Sequence, residues 1–473
     1  MTPSPAPPGP PPPVDPSTVP ALRGVFAAVT DERDAAELTV EGELPAGLAG
    51  AYLRNGPNPL YPPLGSYTYP LDGDGMIHGL WFDDGRVRYR NRIVWTPQLR
   101  VERAAGRAFW AGLRTPYMPG DDLVPAELAD DYKPLPDINI VRHGGRYLAL
   151  AEVDAPVEVT PELETVGAYD FGGVIPGMCA HPRIDPATGE MVLFRYNIEQ
   201  PFLTWSVVAA DGSVAVAPQV IPLDAPFMIH DFTITASSLV LFVGPLQFDF
   251  DAMFSGGDML AWKPELGLRI AVVDRTGSGT VRWIETDPFW VWHFANAFDR
   301  TGAGGASEIV VDFTRWSRPG FGAGDPITGA ISRAVLDPAA GTIRIEDLSD
   351  ESAEFSRIDD RLIGQPHRWF VATTKTGDLL VGEQNTLVRV DTTTGTIERW
   401  VSGTSVFDEV IFVPAPAGGP EQGFYVTFRT DREALTSDFV VLDADDIAAG
   451  PIARIPLPFR VPAGLHGNWF PAE

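Results

Sequence analysis

Hydrophobic and polar positions alternate along most of the chain in short runs, and few stretches repeat with helical spacing. Arg86-Val87-Arg88-Tyr89-Arg90 and Leu387-Val388-Arg389-Val390 are examples, each short enough for one β-strand. Turn clusters separate the runs, and several share one form, an aspartate followed within a few residues by glycine. They include Asp185-Pro186-Ala187-Thr188-Gly189, Asp337-Pro338-Ala339-Ala340-Gly341 and Asp391-Thr392-Thr393-Thr394-Gly395. Each lies between two β-rich runs and predicts an antiparallel hairpin; Asp83-Asp84-Gly85 and His143-Gly144-Gly145 predict tighter ones. The hairpins are irregularly spaced, which excludes a strict solenoid repeat. Stacked sandwiches or a propeller remain, and an all-β propeller suits one chain of this size because radial repetition leaves few exposed strand edges. Helix is predicted only in short patches, Val101 to Phe109 and Asp445 to Ala449.

Proline dominates from Pro3 to Pro20, a composition that buries little apolar surface, so residues 1–21 are expected to form an extended or disordered tail. No internal linker follows, and residues 22–473 read as a single domain. Net charge is −28, which removes nucleic acid from the candidate partners. The only lysines are Lys133, Lys263 and Lys375. A single cysteine, Cys179, excludes an intramolecular disulfide and fits a reducing compartment. No signal-peptide pattern and no run of ~18 apolar residues is present, so a cytoplasmic protein, at most peripheral to a membrane, is expected.

Four of the seven histidines share a setting of apolar or small residues: Cys179-Ala180-His181-Pro182, Met228-Ile229-His230-Asp231-Phe232, Val291-Trp292-His293-Phe294 and Gly464-Leu465-His466-Gly467. A buried imidazole is costly without a partner. Their intervals of 49, 63 and 173 residues are too long for a zinc finger or a helical pair of ligands. They make sense if each histidine ends an inner strand of a different blade and points to a common axis. Spacing leaves two readings open, four separately satisfied core residues or one shared metal.

The surrounding motifs add to this. Leu53-Arg54-Asn55-Gly56-Pro57-Asn58-Pro59 is followed by Asp72-Gly73-Asp74-Gly75-Met76-Ile77-His78-Gly79. Later come Ala180-His181-Pro182-Arg183-Ile184-Asp185-Pro186, Met228-Ile229-His230-Asp231-Phe232 and Leu465-His466-Gly467-Asn468-Trp469. In this order, from about Glu41 onward, they resemble the carotenoid cleavage oxygenase family, which includes stilbene-cleaving enzymes and a retinoid isomerase branch. The resemblance implies a seven-bladed β-propeller with iron(II) on its central axis, held by His181, His230, His293 and His466. Four imidazoles suit iron(II) and leave two octahedral positions open. It also implies glutamates on the far side of the ligating rings, at Glu152, Glu354 and Glu409. His78, His143 and His367 are expected to be structural, and Cys179 a small buried filler.

The resemblance further implies a lipophilic polyene and dioxygen as substrates, cleaved at a conjugated C=C bond to two carbonyl products, and contact with a membrane surface. Where relatives commonly read Ala-Asn-Thr-Asn-Val, this chain has Pro136-Asp137-Ile138-Asn139-Ile140, placing Ile138 where many members aim a threonine at the iron. Stilbene-cleaving relatives hold a phenol with a tyrosine and a lysine; Leu113 and Ala151 occupy those positions here. A carotenoid or apocarotenoid, which needs only an apolar tunnel, is therefore expected ahead of a stilbene or phenylpropenoid. Phe232, Trp292, Phe294, Leu113 and Ile138 are the expected tunnel residues. A propeller binding module with a structural metal is the alternative from a different class.

Overall fold

The computed structural model describes residues 9–320 and 327–472. Seven antiparallel sheets are arranged as the blades of a β-propeller, in agreement with the expected all-β class. Middle strands lie between neighbouring blades and are covered on both faces, so they read as nearly continuous apolar runs. Leu203–Val208 and Ser238–Val243 are buried at every residue. Outer strands have one face in water and alternate: Val214–Val220 and Thr342–Ser349 bury little, and Arg86–Ile93 buries every second side chain. The three Asp-to-Gly clusters form the expected turns. Asp391 Oδ1 accepts from the Thr393 and Thr394 amides, Asp337 Oδ1 from Ala339 and Ala340, and Asp185 Oδ1 from Ala187. The closing glycines take left-handed φ near 70°, which side chains resist.

The innermost strands surround the central axis. In order around the axis they are Gly467–Pro471, Asn139–His143, Arg183–Ile184, Thr233–Ile234, Phe294–Thr301, Glu354–Arg357 and Ile411–Pro414. The ring is closed from both ends of the chain. Gly467–Pro471 pairs with Gly50–Arg54 as the inner strand of the first blade, and Glu41–Gly42 adds an outer strand to Pro451–Leu457 of the last.

Three longer connections gather on the face where the inner strands begin: residues 55–75, residues 94–138, and residues 244–267 between two strands of the fourth blade. The second holds the helix Pro97–Ala105, and the third a small hairpin with the helix Phe250–Phe254. The first helix lies four residues ahead of the expected Val101 to Phe109. Thr96 caps its start through the Leu99 amide, Pro97 opens its first turn, and Gly106 at φ 71° ends it. Of the patch expected at Asp445 to Ala449, only a 3-10 turn at Ile447–Ala449 forms. The proline-rich stretch is laid on the body from Pro12 onward: Val14 N–H donates to Pro63 O, Gly65 N–H to Pro12 O, and Pro16–Thr18 is a 3-10 turn. That part is docked, which corrects the expectation of a disordered tail there; residues 1–8 lie outside the described residues.

The Arg54-Asn55-Gly56 motif holds the closure. Arg54, 1% exposed, donates to Asp408 Oδ2 at 2.6 Å and to Pro462 O at 2.7 Å, with its guanidinium 5.2 Å from the Phe428 ring centroid. Asn55 exchanges backbone hydrogen bonds with Leu465 and His466, and its side-chain amide donates to Pro136 O and Asn139 O. Gly56 is needed for close approach, since a Cβ there would lie 2.6 Å from Gly464 Cα. Replacing Arg54 by methionine leaves Asp408 buried without its cation. Such a loss costs about 3–5 kcal/mol, and Arg54→Met is expected to lower the urea unfolding midpoint accordingly. An unchanged midpoint would show that the ion pair does not hold the ring closed.

Candidate metal centre

The four histidines converge. His181, His230, His293 and His466 stand one to three residues ahead of four different inner strands, and one ring nitrogen from each lies within 4.8 Å of the others. Ring centroids of His181 lie 4.7, 5.1 and 4.4 Å from those of His230, His293 and His466. His181, His230 and His466 are buried and His293 nearly so. Burial and the three neighbouring rings hold the His181 imidazole well below its ordinary pKa, and burial does the same to His293, so both are neutral, the form that ligates a cation. For His230, burial also lowers the pKa, but the Glu152 carboxylate outweighs it and raises the value.

The three blades without a converging histidine each contribute a glutamate. His230 Nδ1 stands 3.1 Å from Glu152 Oε2, His293 Nδ1 2.7 Å from Glu354 Oε2, and His466 Nδ1 3.0 Å from Glu409 Oε1. Each pairing occupies Nδ1 and leaves Nε2 for the shared centre. His181 has no such carboxylate among its hydrogen bonds; its Nε2 lies 3.1 Å from His230 Nε2. His293 Nε2 is buried with no hydrogen-bond partner among the described residues, an orphan that a cation at the shared centre would satisfy. Donor chemistry, the lowered pKa of His181 and His293 and the orphaned nitrogen all fit a transition metal.

The glutamates differ electrically. Burial pushes Glu354 up to about 8, with Trp316 Nε1–H bonded to its other oxygen. Burial acts on Glu409 too, but Arg357 and His466 outweigh it and carry the carboxyl down to about 2. Arg357 bonds Glu409 Oε2 at 3.0 Å and the backbone of Gly467 at 3.1 Å.

Residues with no role assigned from sequence tie the ligand-bearing loops together. Asp231, 2% exposed, accepts from Arg183 and from the Phe232 and Phe294 amides, linking the loops of His181, His230 and His293. Asn139 donates to Ala180 O and accepts from the Asn468 side chain, linking those of His181 and His466. Their positions beside or between motif residues were the available signal. Phe355 is a further omission. Its φ of 55° is strained for an aromatic residue, and its ring centroid lies 5.4 and 5.2 Å from those of His293 and His466.

Of the expected tunnel residues, Ile138 is buried in a small apolar group with Ala180, Leu465, Leu71 and Phe355, and its carbonyl accepts from His466 N–H. Trp292 packs 5.1 Å from the His230 ring. Leu113 lines a cavity of about 290 Å³ under the long connections, together with Tyr117, Met118 and Phe248. Phe232 packs instead against Phe194 within the core, and the Phe294 ring against Phe242 and Phe313, although Phe294 also borders an axial cavity of about 340 Å³. Both rings pack against a middle strand of the preceding blade, Phe232 on Phe194 of Met191–Tyr196 and Phe294 on Phe242 of Ser238–Val243. His78 bonds the Tyr89 hydroxyl, His143 sits 2.9 Å from Gly189 O, and His367 lies 3.2 Å from Asp312, three structural settings. Burial pushes the Cys179 thiol up to about 12, as suits an inert filler.

Fold and centre together define a seven-bladed propeller with a four-histidine metal site. Residues 26–471 match the family described as retinal pigment epithelial membrane protein. The chain is 30% identical to a carotenoid cleavage oxygenase of Mycobacterium tuberculosis over 96% of this chain and 97% of that one. It is also 30% identical to an isoeugenol monooxygenase of Pseudomonas nitroreducens, over 96% and 98%. The crystal structure of a lignostilbene dioxygenase from Pseudomonas brassicacearum superposes with a TM-score of 0.88 at 30% identity, covering 96% and 99%. The chain belongs to the carotenoid cleavage oxygenase family and is an oxygenase of double bonds.

Replacing Glu152, Glu354 or Glu409 by glutamine keeps the shape and removes the charge behind one ring. Each change is expected to weaken metal binding by roughly 10–100-fold, with Glu409→Gln more severe than Glu354→Gln because Glu409 is ionised already. Competition against a coloured chelator measures it. Unchanged affinity in all three would leave the carboxylates without influence on the metal.

Proposed function

We propose that the centre holds iron(II) and that the protein cleaves a conjugated C=C bond of a carotenoid or apocarotenoid with dioxygen, giving two carbonyl products. The observation that carries this reading is the set of four converging imidazoles, three of them with carboxyl groups behind them and one of those three, His293, with an orphaned inward nitrogen. When bound, iron(II) would supply dioxygen binding and activation, for which no side-chain acid or base is required. His181, His230, His293 and His466 would hold it, and Glu152, Glu354 and Glu409 would orient three of the rings. Ile138 and Phe355 would keep one side of the centre apolar and exclude water.

Leu113 and Ala151, in place of a phenol-binding tyrosine and lysine, favour a polyene. At ~25 cal/mol per Å², a polyene burying several hundred Å² gains several kcal/mol before association costs. Cleavage of a stilbene or phenylpropenoid is the second reading, favoured by Tyr117 on the wall of the same cavity as Leu113. About one iron per chain is expected, with oxygen uptake on adding an apocarotenal and loss of activity in each His→Ala variant. A full complement of iron in the His181→Ala, His230→Ala and His293→Ala variants would refute the centre. Faster kcat/KM for a 4-hydroxystilbene than for an apocarotenal would overturn the substrate and leave the iron standing.

Among the described residues no helix is long and apolar enough to cross a membrane. Met118, Ile198 and Leu113 on the cavity wall are exposed, and we assign them a peripheral contact through which a lipid-dissolved substrate reaches a cytoplasmic enzyme. Liposome flotation is expected to retain the protein and to release Met118→Glu/Ile198→Glu. Equal flotation of both would remove the contact.

A further inference from the structure

The cavity under the long connections is mostly apolar, yet a half-buried cation stands on its wall. Lys133 forms ion pairs with Asp74 Oδ1 and, at 2.6 Å, with Glu102 Oε2. The carboxylates around it are engaged. Asp74 Oδ2 accepts from Leu60 N–H, and Glu102 Oε1 from the Phe109 and Trp110 amides. The two oxygens of Asp72 accept from Leu113 N–H and Thr68 N–H. Tyr132 on the same wall gives its hydroxyl to Asp154. An ammonium has three N–H donors, and two carboxylates account for two of them. Burial disfavours the charge on Lys133, but Asp74 and Glu102 outweigh it and raise the pKa, so the group is a fixed ammonium and not a free amine nucleophile.

We propose that Lys133 is a specificity-determining residue whose remaining N–H bonds an oxygen at the end of an otherwise apolar substrate. The chemical class is an apolar chain or ring system ending in a carbonyl or hydroxyl oxygen, and a pure hydrocarbon is disfavoured. The reason is an imbalance. A hydrocarbon end group filling this corner takes water from the ammonium and returns nothing, whereas an oxygen acceptor replaces the lost hydrogen bond. This rests on the proposed polyene reading and narrows it, since an apocarotenoid aldehyde or alcohol qualifies and an unsubstituted carotene does not. Lys133 also differs from the position matched to the phenol-binding lysine of stilbene-cleaving relatives, which is Ala151.

The test reads binding and not cleavage, so it stands apart from the oxygenase reading. Quenching of tryptophan fluorescence under argon, reported by Trp110 on the cavity wall, gives Kd for an apo-β-carotenal and for the hydrocarbon of the same skeleton with methyl in place of the aldehyde. The protein is expected to bind the aldehyde roughly 10–100-fold more tightly, the range for a hydrogen bond to a charged group. In Lys133→Met that ratio is expected to collapse toward one; Lys133→Arg, which keeps both ion pairs, is expected to retain most of it if Lys133→Met fails to fold. Equal affinities in the unmodified protein would overturn the proposal. So would a ratio that persists in Lys133→Met, or one that vanishes in Tyr117→Phe while surviving in the lysine variant.

Discussion

Four imidazoles cannot be brought to one point by any single element of this chain, because His181 and His466 are separated by more than half of its length. The pairing of Gly467–Pro471 with Gly50–Arg54 solves the problem. It closes the ring and, in the same step, seats His466 beside the three histidines already carried on other blades. Local interactions then remove the remaining freedom. Arg54 holds the loop before His466 through Asp408 and Pro462, while Asn55 pairs with the backbone of Leu465 and His466 and reaches across to Pro136 and Asn139. Asp231 does the same for the other three loops. The polar residues of these motifs act mainly through backbone groups, and their effect is to fix where four rings end.

Seven blades serve four ligands and three carboxylates, and the division has an electrostatic consequence. Three rings engage a glutamate through Nδ1 and offer Nε2 inward, which brings three carboxyl groups into a dry interior. Burial pushes Glu354 up to about 8, whereas Arg357 and His466 outweigh burial at Glu409 and hold it near 2. A cation held by the four histidines would add positive charge beside Glu354 and favour its ionised form. Metal binding and ionisation of this glutamate would therefore favour one another.

The strands and their turns were legible because blade packing writes itself into the sequence: continuous apolar runs where two blades cover a strand, alternation where one face meets water, and Asp-to-Gly turns between them. The histidines were legible as a group through their motifs, and the glutamates only through resemblance. What was not legible depends on tertiary direction. Phe232 and Phe294 adjoin ligands in sequence, but their side chains turn between blades into the core, so adjacency along the chain misjudged their surroundings. The strained backbone that puts Phe355 against two of the ligands has no sequence signature. The first helix was misplaced for a different reason. Its apolar pattern is weak, and Thr96, Pro97 and Gly106 were better guides to its ends than the apolar residues further on.

The remaining division of labour follows from where the long connections lie. The blades are repetitive and hold the metal in a nearly fixed frame, so they have little freedom to distinguish one substrate from another. The connections 55–75, 94–138 and 244–267 lie over the same face and supply the walls of the apolar cavity. They can vary without disturbing the ligands, except at the points where Asn55 and Ile138 join them to the His466 loop. That junction is where a change in the connections is most costly, because Asn55 and Ile138 hold the backbone of a ligand. Lys133 stands apart from it, held by Asp74 and Glu102 within the connections themselves, so polarity at the cavity wall can be altered while the histidine frame stays in place.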